Sequence, residues 1–252
     1  MSIFKEYAQY YDLLYRDKDY DSEVEYVHGL IQKYAPGAKS ILNLGCGSGR
    51  HDRCLADHGY SVTGVDSSAQ MIKTALASSQ GNHNLEYVTA DLRSLDVSKQ
   101  FDIVTSLFHV MSYQVNNNDL ISAFTTAFNH VKPGGLFIFD FWHGPGVLTD
   151  RPTIRLKELE DSSILVTRIA SPVMHSSENL VDVNYLVLIK DKNSGCTREM
   201  KETHIMRYLF IPELQFMLSS VGFTPVLFEE WLTSAQLSFT SWNGVVVARK
   251  SI

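Results

Sequence analysis

The residues best suited to grip a ligand lie together at 41–52, Ile41-Leu42-Asn43-Leu44-Gly45-Cys46-Gly47-Ser48-Gly49-Arg50-His51-Asp52. Three glycines at alternate positions follow a short apolar run and precede helix-compatible residues. That order predicts a buried strand, a tight turn and a helix start. Such a turn presents backbone N–H groups and the positive end of a helix dipole to a bound molecule. Two acids stand where later strands should stop, Asp66 after Ser61–Val65 and Asp91 after Leu85–Ala90. His109 and Tyr113 follow a fourth apolar run, Phe101–Leu107, and His143 follows a fifth. A histidine titrates in the range that suits proton acceptance, and a tyrosine hydroxyl can hydrogen-bond a nucleophile or its ring can stack on an acceptor.

The glycine spacing discriminates among ligands. The nicotinamide fingerprint G-x-G-x-x-G needs its third glycine at the position of Arg50, and here that glycine comes one residue early, at Gly49. A phosphate-binding loop would end in Gly-Lys-Ser/Thr, and the turn does not.

The elements that must position these groups follow from periodicity. Residues 4–35 carry Tyr7, Tyr10, Tyr11, Tyr15, Tyr20 and Tyr26 with an apolar face at helical spacing, ended by Pro36-Gly37. Beyond the glycine turn, residues 52–58 predict a helix closed by Gly59. Ser67 or Ser68 caps a helix that carries Met71, Ile72 and Ala75, and residues 117–131 predict another. Lys132-Pro133-Gly134-Gly135 reads as a turn before a fifth strand, Leu136–Asp140. Strands alternating with helices at this spacing mean a mostly parallel sheet, with ligands at the carboxyl ends of its strands. Residues 143–210 break the rhythm with three long alternating runs, Ile164–Ile169, Leu180–Lys190 and Arg198–Phe210, which predict an inserted antiparallel sheet. A helix Pro212–Ser220 and strands 224–231 and Gly244–Arg249 then return to the α/β pattern. The fold class is therefore α/β, about seven strands with helices on both faces, plus the insertion. Residues 1–142 and 211–252 form the core with an amino-terminal helical lid, and 143–210 form a substrate-covering sheet.

Composition narrows the function classes. The 252 residues are 44% hydrophobic and 20% charged, with a net charge of −6 and no block of Lys or Arg, which argues against gripping nucleic acid. Cys46, Cys54 and Cys196 are too scattered for a disulfide framework or a zinc site. No signal segment or membrane-length apolar run is present, so a cytoplasmic protein with no membrane partner is expected.

Taken together, Leu44-Gly45-Cys46-Gly47-Ser48-Gly49, Asp66, Asp91-Leu92 and Lys132-Pro133-Gly134-Gly135 resemble the class I S-adenosylmethionine-dependent methyltransferases over roughly residues 40–140 and the final hairpin. The resemblance implies a Rossmann-like sheet and S-adenosylmethionine as cofactor, released as S-adenosylhomocysteine. Gly45, Gly47 and Gly49 would cradle it, Asp66 with neighbouring Ser67 would take the ribose hydroxyls, Asp91 the adenine amino group, and Met71, Leu92 and Leu107 would pack around it. The family's first-strand acid is replaced by Asn43, whose amide oxygen can still accept from the cofactor ammonium.

A narrower resemblance links Tyr11-Asp12-Leu13-Leu14-Tyr15, Lys18-Asp19-Tyr20 and Gly49-Arg50-His51 to bacterial nucleotide-sugar N-methyltransferases, which dimethylate amino groups on dTDP-linked deoxysugars. It implies that Tyr15 and Tyr20 close over the site and that Tyr113 faces the substrate. His109 and Tyr113 are the catalytic candidates. Arg207, on the alternating face Glu202–Tyr208, is a candidate for pairing with a phosphate of the acceptor. The expected acceptor is a small polar molecule bearing an amine or hydroxyl, favoured as a nucleotide-linked sugar, with a homodimer through the inserted sheet possible. A small-amine N- or small-molecule O-methyltransferase, or a non-catalytic cofactor-binding subunit, are the alternatives. No metal cluster is expected.

Overall fold

The computed structural model describes residues 13–251, so Tyr7, Tyr10, Tyr11 and Asp12 of the amino-terminal segment lie outside the described residues. The elements run α1 (Tyr20–Tyr34), β1 (Ser40–Leu44), α2 (Arg50–Asp57), β2 (Ser61–Asp66), α3 (Ala69–Ser78), β3 (Leu85–Thr89) and β4 (Phe101–Ser106). A 3-10 turn at Val110–Tyr113 leads to α4 (Asn117–His130), β5 (Val131–Trp142) and a short helix α5 (Gly144–Thr149). The long strands β6 (Arg155–Glu160), β7 (Ile164–His175), β8 (Leu180–Asp191) and β9 (Thr197–Arg207) come next, then α6 (Ile211–Ser220), β10 (Phe223–Glu230) and β11 (Asn243–Lys250).

Two sheets result. The larger has seven strands in the order β10-β11-β5-β4-β1-β2-β3, and the smaller has four in the order β6-β7-β8-β9. Strands β3, β2, β1, β4 and β5 are mutually parallel, whereas β11 runs antiparallel to β5 and β10 antiparallel to β11. The chain winds outward from β1 to β3 and then returns to β4 on the other side of β1. That reversal opens a crevice at the carboxyl ends of β1 and β4.

Strand β5 shows why the sheet needs cover on both faces. Phe137, Phe139 and Phe141 alternate onto one face and pack with Phe124 of α4 and Leu214 of α6. Leu136 and Ile138 point to the other, where Val24, Val27 and Ile31 of α1 close over Ile41 and Val62. Side chains of a strand alternate between faces, so both layers are needed to keep them from water, at about 1.5–3 kcal/mol for each large side chain buried.

Two sequence expectations, at Lys132–Gly135 and in the insertion, are corrected here. Lys132–Gly135 belongs to β5 rather than to a turn before it: pairing with β4 jumps from Phe101↔Val131 to Ile103↔Leu136, so these residues bulge out of the strand. Gly135 permits this, since a side chain there would meet the Asp102 carbonyl at 2.5 Å. The inserted sheet has a fourth strand, β6, whose Arg155–Glu160 sequence alternates charge with apolar residues too weakly to read. The amino-terminal helix is interrupted at residues 15–19 and restarts at Tyr20 behind an Asp19 cap, whose carboxylate accepts from Ser22 N–H at 2.9 Å.

Candidate functional site

A cavity of about 470 Å³ opens at the crevice, walled on one side by the core strand ends and on the other by the middle of the inserted sheet. Its size suits a small-molecule ligand. Gly45 and Gly47 line it in left-handed backbone conformations, φ +81° and +56°. A side chain at Gly45 would strike Val110 at 2.5 Å, whereas one at Gly47 would stand in open space. Asp66 ties the first two strand ends together: its carboxylate accepts Gly47 N–H at 2.9 Å and Ser68 N–H at 2.8 Å. Burial raises its pKa, and those two backbone bonds oppose the rise.

Ser68, rather than Ser67, caps α3, accepting Met71 N–H at 3.3 Å; Ser67 sits on the cavity rim and Met71 is buried against it. Asp91 and Leu92 line the cavity beyond β3. Arg93 grips the Asp91 carboxylate through Nε at 3.0 Å and Nη2 at 2.5 Å and holds its pKa below the usual range. Leu107 completes this wall from the end of β4.

Asn43 and Gly49 do not reach the cavity. Asn43 is buried with both ends of its amide engaged: Nδ2 donates to Asp52 Oδ1 at 2.6 Å and Oδ1 accepts from Thr105 at 3.1 Å. The amide therefore faces the helix behind the turn instead of a cofactor ammonium. Gly49 caps α2 with φ +72° and faces the Tyr87 hydroxyl, which a side chain would meet at 2.4 Å. The carboxylate of this neighbourhood comes from α2: Asp52 is fully buried, and burial pushes its pKa up to about 7. Reading the strand position alone misses it.

The amino-terminal link, residues 15–19, runs along the cavity. Tyr15 and Tyr20 both line the cavity, Tyr15 edge-on to Phe108 at 5.1 Å and Tyr20 edge-on to His51 at 4.8 Å. Glu23 anchors the link by pairing with Lys18 and, at 2.7 Å, with His51 Nε2. Burial works against the ionised Glu23, but His51 and Lys18 outweigh it and hold its carboxyl below the usual range.

The opposite wall begins with strain. Phe108 and His109 are consecutive left-handed residues, φ 67° and 62°, a conformation that costs non-glycine residues about 1–3 kcal/mol each. Asp140, buried at the end of β5, offsets that cost: both its oxygens accept His109 N–H, at 3.0 and 3.1 Å. The imidazole Nδ1 of His109 lies 2.7 Å from the same carboxylate, outside hydrogen-bonding angles. Tyr113 follows on the 3-10 turn, and its hydroxyl is 2.8 Å from His204 Nδ1 on β9. His204 Nε2 in turn lies 3.4 Å from Glu202. Trp142 and Tyr185 add further rings, Tyr185 edge-on to His204 at 5.1 Å.

The sequence reading had no means to pair His204 with Tyr113, which lie 91 residues apart. It also assigned nothing to Trp142, Tyr185 or Asp140, though Asp140 closes the apolar run Leu136–Phe139 as Asp66 and Asp91 close theirs. Arg207 is corrected: it is buried and bonds Asn117 at 2.8 Å with Glu213 3.6 Å away, behind the cavity wall. His143 is structural, its Nδ1 2.9 Å from the Ser241 carbonyl. Among the described residues, no helix is long and apolar enough to cross a membrane and no cluster of His, Cys, Asp and Glu has the arrangement of a metal site.

The cofactor wall fits S-adenosylmethionine on its own features: an open face at Gly47, a fixed carboxylate at Asp66 and a second at Asp91. Residues 41–135 match the family described as "Methyltransferase domain". The chain is 28% identical over 201 residues to the dTDP-3-amino-3,6-dideoxy-alpha-D-glucopyranose N,N-dimethyltransferase of Streptomyces fradiae, covering 79% of this chain and 76% of the relative. A S-adenosylmethionine-dependent methyltransferase from Clostridium acetobutylicum shares the fold with a TM-score of 0.82 at 18% identity, over 99% of both chains. An amino pentose methyltransferase from Micromonospora echinaspora, solved with S-adenosylmethionine bound, superposes with a TM-score of 0.77 at 22% identity, over 98% of both. The chain is an S-adenosylmethionine-dependent methyltransferase, matched to a methyltransferase domain over residues 41–135, and S-adenosylmethionine is its cofactor.

Proposed function

We propose that this methyltransferase moves the methyl group to the nitrogen of a small polar amine, with an amino group on a nucleotide-linked sugar as the favoured acceptor. The observation that carries the reading is the acceptor wall: Phe108, Tyr113, Trp142 and Tyr185 supply ring faces, and two histidine–carboxylate pairs stand among them. Aromatic faces attract an ammonium group, and a neighbouring histidine can take the proton that the amine must lose before its lone pair attacks. The relationship to a dTDP-aminosugar dimethyltransferase supports the sugar.

The cofactor supplies a methyl group already activated on a sulfonium. Asp66 would hold it by the ribose, the Gly45–Gly47 backbone would pass beneath it, and Tyr15 and Tyr20 would close over it. The protein's task is then to exclude water and hold the nucleophile in line, which is where most of the acceleration of such displacements originates. Phe108, Trp142 and the inserted sheet dry the acceptor side, and Asp140 fixes the loop that carries His109. A hydroxyl acceptor is the second reading, favoured by His109 beside Asp140, because a hydroxyl needs a base more than an amine does. We place the reaction in the cytoplasm, consistent with three free thiols.

The test is methyl transfer by the isolated chain to dTDP-3-amino-3,6-dideoxyglucose, followed by mass spectrometry. Addition of one or two methyl groups on nitrogen supports the reading and removes the non-catalytic subunit. Methylation of the 3-hydroxy counterpart alone overturns the amine in favour of the hydroxyl.

A further inference from the structure

We propose that Asp52 supplies from α2 the negative charge that Asn43 lacks near the end of β1, so that the buried carboxylate favours the cationic S-adenosylmethionine over S-adenosylhomocysteine, which has lost the sulfonium. Such a charge acts on the cofactor, so its role is the same for an amine or a hydroxyl acceptor. A pairing beneath the glycine turn carries this. Thr105 donates its hydroxyl to Asn43 Oδ1 at 3.1 Å, which leaves the amide N–H of Asn43 for Asp52 Oδ1, 2.6 Å away. One hydrogen bond thus separates the strand position from the residue that holds the acid. The other oxygen has a seat of its own. A side chain on Gly64 of β2 would meet Asp52 Oδ2 at 2.4 Å, so the carboxylate fills space that this glycine opens. Among the described residues, Oδ2 is buried without a hydrogen-bond partner. A carboxylate in that position takes up a proton or answers to a nearby cation. Cys46 both interacts with Asp52 and lines the cavity, so one residue of the turn stands between the carboxylate and the ligand space.

The groups around Asp52 leave it poised to change charge. Burial is the largest influence and pushes its pKa up to about 7; Asp66 at the end of β2 adds to the rise, while Asn43, Arg53 and the Cys46 thiol oppose it. Cys46 on the turn and Tyr87 on β3 stay protonated, each raised first by burial and then by the Asp52 charge. Asp66 is also raised by burial, against the two backbone N–H groups that favour its charge. Arg53 donates to the Ser48 carbonyl at 3.0 Å, on the far side of the turn's last glycine. Asp52 therefore gives its proton to water when a cation arrives at the turn. It takes one back once methyl transfer has removed the sulfonium charge. An ionised Asp52 stabilises the loaded cofactor and not the spent one, so the preference grows as pH rises through 7. Asp52 acts here as a positioning residue, through its field.

The test needs no acceptor. Calorimetry at pH 6 and pH 8 gives the Kd of S-adenosylmethionine and of S-adenosylhomocysteine. The wild type is expected to gain about fivefold in its preference for S-adenosylmethionine over that interval, as Asp52 ionises. Asp52→Asn keeps an oxygen for Asn43 and carries no charge. At pH 8 it is expected to weaken S-adenosylmethionine by about tenfold, the scale of one unit charge acting at short range through protein, and S-adenosylhomocysteine by no more than about threefold. Its preference should also stop following pH as the wild type's does. The ligand's own amino group titrates with both proteins, so the difference between them belongs to Asp52. The exchange Asn43→Asp with Asp52→Asn returns the acid to the strand and is expected to restore the preference at pH 8. A purely structural Asp52 would weaken both ligands alike, and equal losses overturn the proposal. So does the same pH dependence in the wild type and Asp52→Asn, or an exchanged protein that binds S-adenosylhomocysteine normally without recovering the preference. Should the exchanged protein fail to fold, the comparison of wild type with Asp52→Asn decides the matter alone.

Discussion

The parallel core and the inserted antiparallel sheet build opposite walls of one cavity by different means. The core contributes backbone and strand ends: the Gly45–Gly47 turn after β1, Asp66 ending β2 and Leu107 after β4. The insertion contributes side chains from the middle of its strands, Val183 and Tyr185 on β8 and His204 and Met206 on β9, at alternate positions. The central core strands β1 and β4 are five and six residues long and mostly buried, whereas β7–β9 run for eleven or twelve residues and leave Val173 and Ile205 half exposed. A wall made of backbone and strand-end acids fits a ligand part that does not vary. A wall of mid-strand side chains can change one residue at a time without disturbing the ladder. The division of labour we propose is cofactor binding on the core and acceptor chemistry toward the insertion.

The largest effect that could break this division is on the core. Asp66→Ala removes both the carboxylate proposed for the ribose and the bond holding Gly47, so S-adenosylhomocysteine affinity should fall by about 100-fold, the scale of losing charge-assisted hydrogen bonds. Calorimetry measures the loss directly, and the thermal shift produced by the ligand should vanish with it. An unchanged Kd would mean the strand ends are not the cofactor wall.

Asp140→Ala sharpens the boundary between the regions. It releases the strained Phe108–His109 loop, which lines the wall proposed for the acceptor, so turnover should drop by about tenfold, as expected when positioning is loosened. S-adenosylhomocysteine affinity should stay within about threefold, since no backbone of the glycine turn depends on Asp140. Equal losses in both would merge the two walls into one unit.

The smallest effect lies beneath the glycine turn, at Asp52. Its carboxyl is pushed up to about 7 in the folded chain from a usual 3.8 by burial. The folded state therefore binds the proton more tightly than the unfolded one, and stability is lost as pH rises from about 4 to 7. Asp52→Asn keeps an oxygen for Asn43 and cannot ionise, so its Tm should fall less over that interval than that of the wild type. Parallel Tm profiles for the two proteins would show that Asp52 stays ionised throughout.

The difference between the walls also explains how much was legible in the sequence. Gly45-x-Gly47-x-Gly49 and the strand-end acids Asp66 and Asp91 stand at fixed distances from the strands that carry them, so local pattern suffices to find them. Within that pattern the sequence still misplaced Asn43, because a strand position says nothing about which neighbour its amide will meet. Asp52 claimed it from the helix behind. On the insertion, alternation in Glu202–Tyr208 announces a strand with two faces, yet every second residue carries the same signal. His204 entered the cavity and Arg207 went behind it toward Asn117 and Glu213.

The sequence by itself determined the α/β core, the glycine turn after β1 and the presence of an antiparallel insertion, because each depends on periodicity and on glycine's backbone freedom within a few residues. Only the tertiary structure decided that Tyr113 meets His204 and that His109 is pinned by Asp140. Those contacts join residues 91 and 31 positions apart, and they arise from how two sheets pack around one cavity.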